Sequence, residues 1–259
     1  MSWWGKAIGS GLGFMMGGPL GAIIGATFGH RIDQGLGGER IGIGDTERTQ
    51  VAFFTATFSI MGYLAKADGK VSASEISMAE QVMTNMRLLP EQRKAAIALF
   101  NQGKQDDFPI ADILAQFRRE CHRRSNLLQM FLEILISTAL ADGVLHADEK
   151  KALYYVAQQL GFNAAHINQL IKMVSAQQHY AGSVQQTSAS IDDAYAVLGI
   201  ESSVTDGEMK TAYRRLMAQH HPDKLVSKGL PEEMIRLATE KTQEINAAYR
   251  QIKKLRKSQ

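Results

Sequence analysis

The fold is decided by the stretch Thr205-Asp-Gly-Glu-Met-Lys-Thr-Ala-Tyr-Arg-Arg-Leu-Met-Ala-Gln-His-His-Pro-Asp223. Its apolar residues recur at spacings of three and four, which predicts an amphipathic helix, and its first four residues form a capping-box pattern. Pro222 predicts the helix end, because proline has no N–H and biases the preceding residue away from helical geometry. A second periodic stretch, from Pro231 to about Arg256, predicts an antiparallel partner helix. The two helices would hold His221, Pro222 and Asp223 in the loop between them.

The partner helix has one apolar seam, which we expect to pack on the first helix. The seam comprises Met234, Ala238, Ile245, Ala248, Ile252 and Leu255. The first helix would contribute Met209, Ala212, Tyr213 and Leu216.

A cationic side adjoins the loop. Lys210 and Arg214 lie four residues apart and share a helix face, and Arg215 lies beside them. Such a stripe is usually solvated surface, but its position directly before the tripeptide favours a binding surface. The rival interpretation makes His221 and Asp223 an acid/base pair. It lacks a nearby nucleophile, phosphate loop or metal cluster in the sequence, so we do not expect an enzyme.

These features resemble the J-domain family. Residues 193–200 are similar to its first helix and turn, residues 210–216 to its basic second helix and residues 243–249 to its third helix. The tripeptide His-Pro-Asp alone would be a weak match, whereas the tripeptide with three flanking helices in register is a strong one. Two departures are Thr242, where many members place an aromatic residue, and a longer loop over residues 224–230.

The resemblance implies docking on the ATP-bound form of a DnaK-type chaperone and acceleration of its ATP hydrolysis, with no cofactor. Basic residues would steer the approach, and the loop would engage the junction between the chaperone's domain and linker. The implied chaperone-binding residues are Lys210, Arg214, Arg215, His221, Pro222 and Asp223.

The amino-terminal stretch predicts a membrane anchor over residues 1–30. Residues 7–29 contain no charged side chain. As a helix they would span ~35 Å, enough to cross a hydrocarbon core of ~30 Å. Trp3 and Trp4 precede the stretch, and indole rings favour the membrane–water interface. Lys6 lies before the span and several arginines follow it, so the positive-inside rule predicts a single-pass inner-membrane protein of a bacterium with a periplasmic amino terminus and a cytoplasmic body.

Glycines recur at every fourth position of the span, which would form a smooth ridge on a helix. Such a ridge lets a second backbone approach closely and predicts a homodimer in the lipid bilayer. The alternative is that glycine only dilutes the apolar character of the span. The glycines proposed for the dimer contact are Gly9, Gly13, Gly17, Gly21 and Gly25.

The middle of the chain, residues 46–178, is helical by periodicity and contains an internal repeat. Residues 65–75 recur as residues 139–149 with a shared Ala-Asp-Gly and a later Glu, a pattern similar to TerB-like helical domains. A polar stretch over residues 179–190 predicts a flexible linker to a terminal domain over residues 191–259.

The repeat offers four carboxylates that could hold a hard cation, Asp68, Glu75, Asp142 and Glu149. The favoured interpretation is structural and assigns no metal: the glycines end one helix, and the glutamates cap the next.

Composition limits the classes of function. The net charge of +3 is small for 259 residues, so a nucleic-acid partner is not expected. The single cysteine excludes a disulfide framework. No strand pattern appears, so the predicted fold class is all-α, with a transmembrane helix, a helical bundle and a helical hairpin.

Together these parts resemble the bacterial DjlA family of membrane-anchored DnaJ-like proteins. The resemblance implies a co-chaperone that directs a DnaK-type chaperone to membrane-proximal clients, in envelope-stress signalling and capsule synthesis. The alternative is a membrane scaffold or metal-sensing protein that acts through the TerB-like domain.

Overall fold

The computed structural model describes residues 18–24, 44–67, 73–140, 143–184 and 190–257. These residues form helices and connecting loops without a strand, which confirms the all-α class. The middle helices are α1 Asp45–Ala65, α2 Ala73–Asn85, α3 Pro90–Gly103, α4 Ile110–Glu120, α5 Ser125–Ala139, α6 Ala147–Gln159 and α7 Ala164–Val184. The C-terminal helices are α8 Ile191–Val197, α9 Asp206–His220, α10 Pro222–Val226 and α11 Ile235–Lys257, with a 3₁₀ turn at Glu232–Met234.

Helix α1 is the centre of the middle helices and is buried along most of its length. Two glycines let α1 and α3 touch backbone to backbone. A Cβ on Gly62 would lie 2.0 Å from the carbonyl oxygen of Phe100, and a Cβ on Gly103 would lie 1.7 Å from that of Ser59. A side chain at either glycine would therefore force the helices apart.

Residues 18–24 are helical and pack on the middle helices. Leu20, Ile23 and Ile24 are buried in their core. The backbone N–H of Leu20 donates to Oε1 of Gln116 over 2.9 Å. Within the ranges described, no helix is both long and apolar enough to cross a membrane. Gly21 lies in this segment; the rest of the predicted span, with Gly9, Gly13, Gly17 and Gly25, is outside the described residues.

The second copy of the repeat forms a helix boundary. Gly143 has a φ of +85°, a conformation that glycine adopts readily. Glu149 accepts a hydrogen bond from the backbone N–H of His146 over 3.0 Å and so caps α6. The Asp68 and Asp142 positions and the side chain of Glu75 are outside the described residues.

The C-terminal helices α8, α9 and α11 form a small core that α7 joins. Met173 and Ala176 of α7 pack with residues such as Leu198, Leu216 and Ile245. Helix α7 reaches Val184, so residues 179–184 of the predicted linker are helical.

One predicted core residue, Leu255, is exposed, with 39% of its surface accessible. Here the prediction was wrong, because the last turn of α11 turns Arg256 inward instead. The guanidinium of Arg256 donates to the Tyr195 hydroxyl over 2.9 Å and to Asp206 over 2.8 Å. Neighbouring residues on a helix point in different directions, so Leu255 faces solvent.

The C-terminal helices are also docked on the middle helices through a shared core. Four side chains from α10, the loop after it and the start of α11 are buried with the middle helices: Leu225, Leu230, Met234 and Ala238. Gly229 lies at this contact with a φ of +98°. A Cβ there would lie 2.9 Å from the Thr49 side chain of α1.

A buried charge cluster crosses the same contact. His220 of α9 places Nε2 2.9 Å from one Glu133 carboxylate oxygen on α5, and Lys241 of α11 places Nζ 3.2 Å from the same oxygen. His220 Nδ1 lies 2.9 Å from the carbonyl oxygen of Leu216. Since both ring nitrogens face acceptors, both donate only in the imidazolium form.

Burial alone would raise the pKa of the Glu133 carboxyl. The charges of His220 and Lys241, with hydrogen bonds from His220 and Gln129, outweigh burial and hold this pKa below its usual range. Ionised Glu133 therefore supplies the negative charge that faces His220 and Lys241.

We predict that Gly229→Ala lowers the free energy of unfolding by at least ~1–2 kcal/mol, because alanine tolerates a left-handed conformation poorly and its Cβ would meet Thr49. Urea denaturation of the detergent-solubilised protein measures the change. The matched control is Gly207→Ala in α9, where a Cβ would meet nothing closer than the Thr205 hydroxyl at 3.9 Å. That control should be neutral or stabilising, and equal losses in both variants would contradict the docking geometry.

We predict that Glu133→Gln lowers the free energy of unfolding at pH 7 by ~3 kcal/mol, because it removes the buried carboxylate that faces the His220 imidazole and the Lys241 ammonium. Since the folded-state pKa of Glu133 is lowered, its stabilisation is present above the ordinary carboxyl pKa of ~4.3 and declines as the pH falls below it. Denaturation at pH 7 and pH 2 should show the difference from wild type shrinking, because most of the decline lies below pH 4. Glu201→Gln, at an exposed position, should change stability by less than ~0.5 kcal/mol at either pH.

Candidate functional site

The tripeptide predicted as the functional loop is a tight connection between two helices. Helix α9 ends at His220, His221 is non-helical with φ −59° and ψ 122°, and Pro222 opens α10. The backbone N–H of Leu225 donates to the carbonyl of His221 over 3.0 Å, and the N–H of Ser227 donates to that of Asp223 over 3.0 Å. These bonds fix the backbone on both sides of the proline.

The loop has a buried side and an exposed side. Leu225 is fully buried with the middle helices, while the side chains of His221 and Asp223 are 46% and 92% exposed. His221 Nδ1 and the nearer Asp223 carboxylate oxygen are 4.0 Å apart, too far for a direct hydrogen bond. The loop therefore presents an imidazole and a carboxylate separately to a partner.

The residues of the predicted cationic side lie on the surface. Lys210, Arg214 and Arg215 all lie on α9 with exposed side chains. In the described part of the chain none of the three forms an ion pair, so their charges are available to an acidic partner. Lys224, directly after the tripeptide, is also exposed and adds a positive charge that we did not single out from the sequence.

His220, the buried neighbour of the exposed His221, was not predicted from the sequence as part of the site. Its spacing carried the signal, because Met209, Leu216 and His220 fall on one face of α9, and all three are buried. A polar residue on an apolar face needs a buried partner. That partner, Glu133, is 87 positions away in the chain, so only the tertiary structure identifies it.

The helix pair that carries the site is held by an aromatic contact. The rings of Tyr213 on α9 and Tyr249 on α11 stack with centroids 4.2 Å apart, and the Tyr213 hydroxyl donates to Asn246 over 2.6 Å. Thr242 is buried, and its hydroxyl donates to the carbonyl of Thr239 over 2.8 Å. The position where many J-domains carry an aromatic residue is thus filled without an unpaired polar atom.

His221 and Asp223 are not hydrogen-bonded to each other. They follow directly after a helix whose exposed cations Lys210, Arg214 and Arg215 form no ion pair in the described part of the chain. No group of three metal-ligating side chains occurs within the described residues.

Comparison with known families accounts for nearly the whole chain. Residues 1–39 match the co-chaperone DjlA transmembrane domain. Residues 54–172 match the tellurite resistance protein TerB family, and residues 193–259 match the DnaJ domain.

Whole-chain relatives agree with the domain matches. The chain is 42% identical to the co-chaperone protein DjlA of Photobacterium profundum, over 97% of this chain and 98% of the relative. It is 43% identical to the co-chaperone protein DjlA of Coxiella burnetii, over 99% of each chain. It is 39% identical to that of Escherichia coli O157:H7, over 98% of each chain. No solved structure matches the chain. The chain therefore belongs to the DjlA family of co-chaperones, with the transmembrane, TerB-like and J-domain parts that its sequence predicted.

Proposed function

We propose that this co-chaperone binds the ATP-bound form of a DnaK-type chaperone through the His221-Pro222-Asp223 loop and stimulates its ATP hydrolysis. The observation that carries the proposal is the loop itself, in which the side chains of His221 and Asp223 face solvent while Leu225 is fully buried. Because the backbone is already fixed, binding would not have to order it.

Stimulation of a partner's ATPase requires a difference in affinity between the partner's nucleotide states. A surface that binds the conformation poised for hydrolysis more tightly shifts the partner toward it, with no reacting group of its own. An exposed imidazole and carboxylate that are not bonded to each other suit this function, since each is available to pair with a group on the chaperone.

Approach to the chaperone would be accelerated by the cations of α9. Lys210, Arg214 and Arg215 are exposed and carry no ion pair among the described residues. Unpaired surface charges raise association rates with an oppositely charged partner, and salt screens the effect.

The chain is anchored in the inner membrane, as the transmembrane family match indicates. We propose that its amino terminus is periplasmic and its body cytoplasmic, where ATP and a DnaK-type chaperone are found. Leu20, Ile23 and Ile24 are buried against the middle helices, so insertion of the full span requires that these contacts be exchanged for lipid. The glycine ridge would then pair two anchors into a homodimer.

The anchor would direct the chaperone to membrane-proximal clients, including those of envelope-stress signalling and capsule synthesis. The competing function, a scaffold or metal sensor in the TerB-like domain, gains no support from Glu149, which caps α6 through the His146 N–H.

We predict that His221→Gln abolishes stimulation of the chaperone's ATPase in single-turnover assays with the full chain, while helical content and unfolding temperature stay at wild-type values. The exposed position makes the substitution structurally mild. His122→Gln, also at an exposed histidine but in the turn between α4 and α5, is the matched control and should stimulate normally. Normal stimulation by folded His221→Gln would refute the proposal.

The rate of association with the chaperone tests steering by the cations of α9. We predict that the Lys210→Gln, Arg214→Gln double variant associates several-fold more slowly at low salt and approaches the wild-type rate as salt screens the charges. The charge-matched control is Lys94→Gln, Lys172→Gln on the middle helices. Equal slowing by both pairs would show an effect of net charge and argue against a local surface.

The proposed topology predicts that a phosphatase reporter, active only in the periplasm, is inactive when fused to the carboxyl terminus and active when fused to the amino terminus.

Cysteine cross-linking in membranes measures the dimer: replacing Gly13, Gly17 and Gly21 with leucine should keep membrane insertion and lose the cross-link. The reverse reporter pattern, or unchanged cross-linking, would overturn the corresponding claim.

A further inference from the structure

A cavity lies where the C-terminal helix α11 crosses the middle helices. Its volume is about 630 Å³, within the range of small-molecule sites, and α2, α5, α7 and α11 all line it. Apolar walls come from each of these helices, through Val82, Ile134, Val174 and Leu237. A molecule bound in this cavity would contact both the middle helices and the C-terminal helix α11.

The cavity contains a buried amide with no partner. Gln177 of α7 lines it and is only 4% exposed. Neither the Oε1 nor the Nε2 atom of this residue has a hydrogen-bond partner among the described residues. Burying a polar group in this state costs roughly 1–3 kcal/mol, so the position favours a group that both donates and accepts.

The cavity also contains a carboxyl group without an ion pair. Glu133 is paired with His220 and Lys241, and Glu240 is paired with Arg236 over 2.6 Å. Glu244 of α11 lines the same cavity, and no ion pair to it occurs in the described part of the chain.

Burial, together with the neighbouring carboxylates Glu240 and Glu133, outweighs the lowering effect of Lys241 and raises the pKa of Glu244 to about 7. A cation bound beside Glu244 would reverse that balance, because an opposite charge favours the ionised form.

We propose that this cavity binds a small amphiphilic amine: a protonated ammonium group at Glu244, an apolar body against the aliphatic walls, and a hydroxyl or amide at Gln177. The ammonium group would pair with the Glu244 carboxyl, and the apolar body would pack against the aliphatic walls. The hydroxyl or amide would hydrogen-bond with the Gln177 side chain. The site is separate from the His221-Pro222-Asp223 loop and does not depend on the proposed chaperone function. Since its walls come from both sets of helices, ligand binding strengthens their docking.

Tyramine is a suitable probe, because it combines an ammonium group, a ring and a phenolic hydroxyl. Two analogues each lack one part: 4-ethylphenol has no ammonium, and phenethylamine has no hydroxyl. Isothermal titration of the full chain in detergent at pH 8 should give the tightest binding for tyramine and at least tenfold weaker binding for 4-ethylphenol. Tyramine should also raise the unfolding temperature of the protein.

Two variants assign the contacts. Glu244→Gln should weaken tyramine at least tenfold and leave 4-ethylphenol unchanged. Gln177→Met should bring the affinity for tyramine down to that for phenethylamine, and it should raise the unfolding temperature because an unpaired buried amide is removed. Glu201→Gln, at an exposed position outside the cavity, is the charge-matched control and should bind all three probes as wild type does.

The pH dependence gives an independent readout. The amine stays protonated at pH 6 and pH 8, whereas Glu244 changes from mostly neutral to mostly ionised, so tyramine should bind more tightly at pH 8. The other titratable groups that face this position are Lys241 and Glu240 on α11, Glu133 on α5 with His220 behind it, and His179 on α7. In Glu244→Gln only these other groups remain, so the affinity for tyramine should no longer rise between pH 6 and pH 8.

Failure of tyramine to bind at 10 mM, or equal affinity for wild type and folded Glu244→Gln, would overturn the proposal. So would an unchanged pH dependence in that variant. The chaperone ATPase assay is a separate measurement, and loss of stimulation there leaves this result unaffected.

Discussion

The burial of Leu225 beneath the loop is the contact on which the arrangement of the site depends. This residue lies two positions after Asp223 and is fully enclosed with the middle helices. Only His221 lies between α9 and α10, so the tripeptide would otherwise move with whichever helix moved. Because the far end of α10 is fixed to a large core, the exposed imidazole and carboxylate keep their relation to α9. Exposure for binding and rigidity for specificity are thus supplied by opposite sides of one short helix.

The C-terminal helices are not complete without the middle helices. Taken alone, residues 191–259 resemble a self-contained domain, and their own small core of α8, α9 and α11 supports that view. In the full chain, however, Leu225, Leu230, Met234 and Ala238 are completed by the middle helices. A separated fragment would expose these four side chains and leave His220 and Lys241 without Glu133. Function is therefore better measured on the full chain than on that fragment.

Much of the fold and of the site followed from local patterns. Thr205 accepts a hydrogen bond from the N–H of Glu208 as its capping box predicted, α9 ends before Pro222, and the loop residues and α9 cations are exposed. These features depend on residues within one or two helical turns, so the sequence contains them. The error at Leu255 also concerned neighbouring residues. Periodicity alone does not show that the amphipathic side chain of Arg256, the next residue, would take the inward position.

The contacts that could not be predicted are those between distant segments. Spacing placed His220 on the buried face of α9, but nothing near it in the chain identified Glu133 or Lys241 as its partners. The same holds for Gly229, whose left-handed conformation reflects close approach to Thr49 on α1. The sequence predicted the helix that contains Gln177 but not the surroundings of its amide. Only the tertiary structure shows that this amide is buried beside a cavity and has no hydrogen-bond partner among the described residues.

These distant contacts have a common consequence for function. They fix the C-terminal helices on the middle helices at two places, α8 against α7 and the loop after α10 against α1. Helix α7 is helical to Val184, and Gly229 lies close to Thr49 of α1, so the described contacts hold the His221-Pro222-Asp223 loop against the middle helices. Under the proposed function, the shared core would set the orientation in which a chaperone is bound as well as its distance from the TerB-like part.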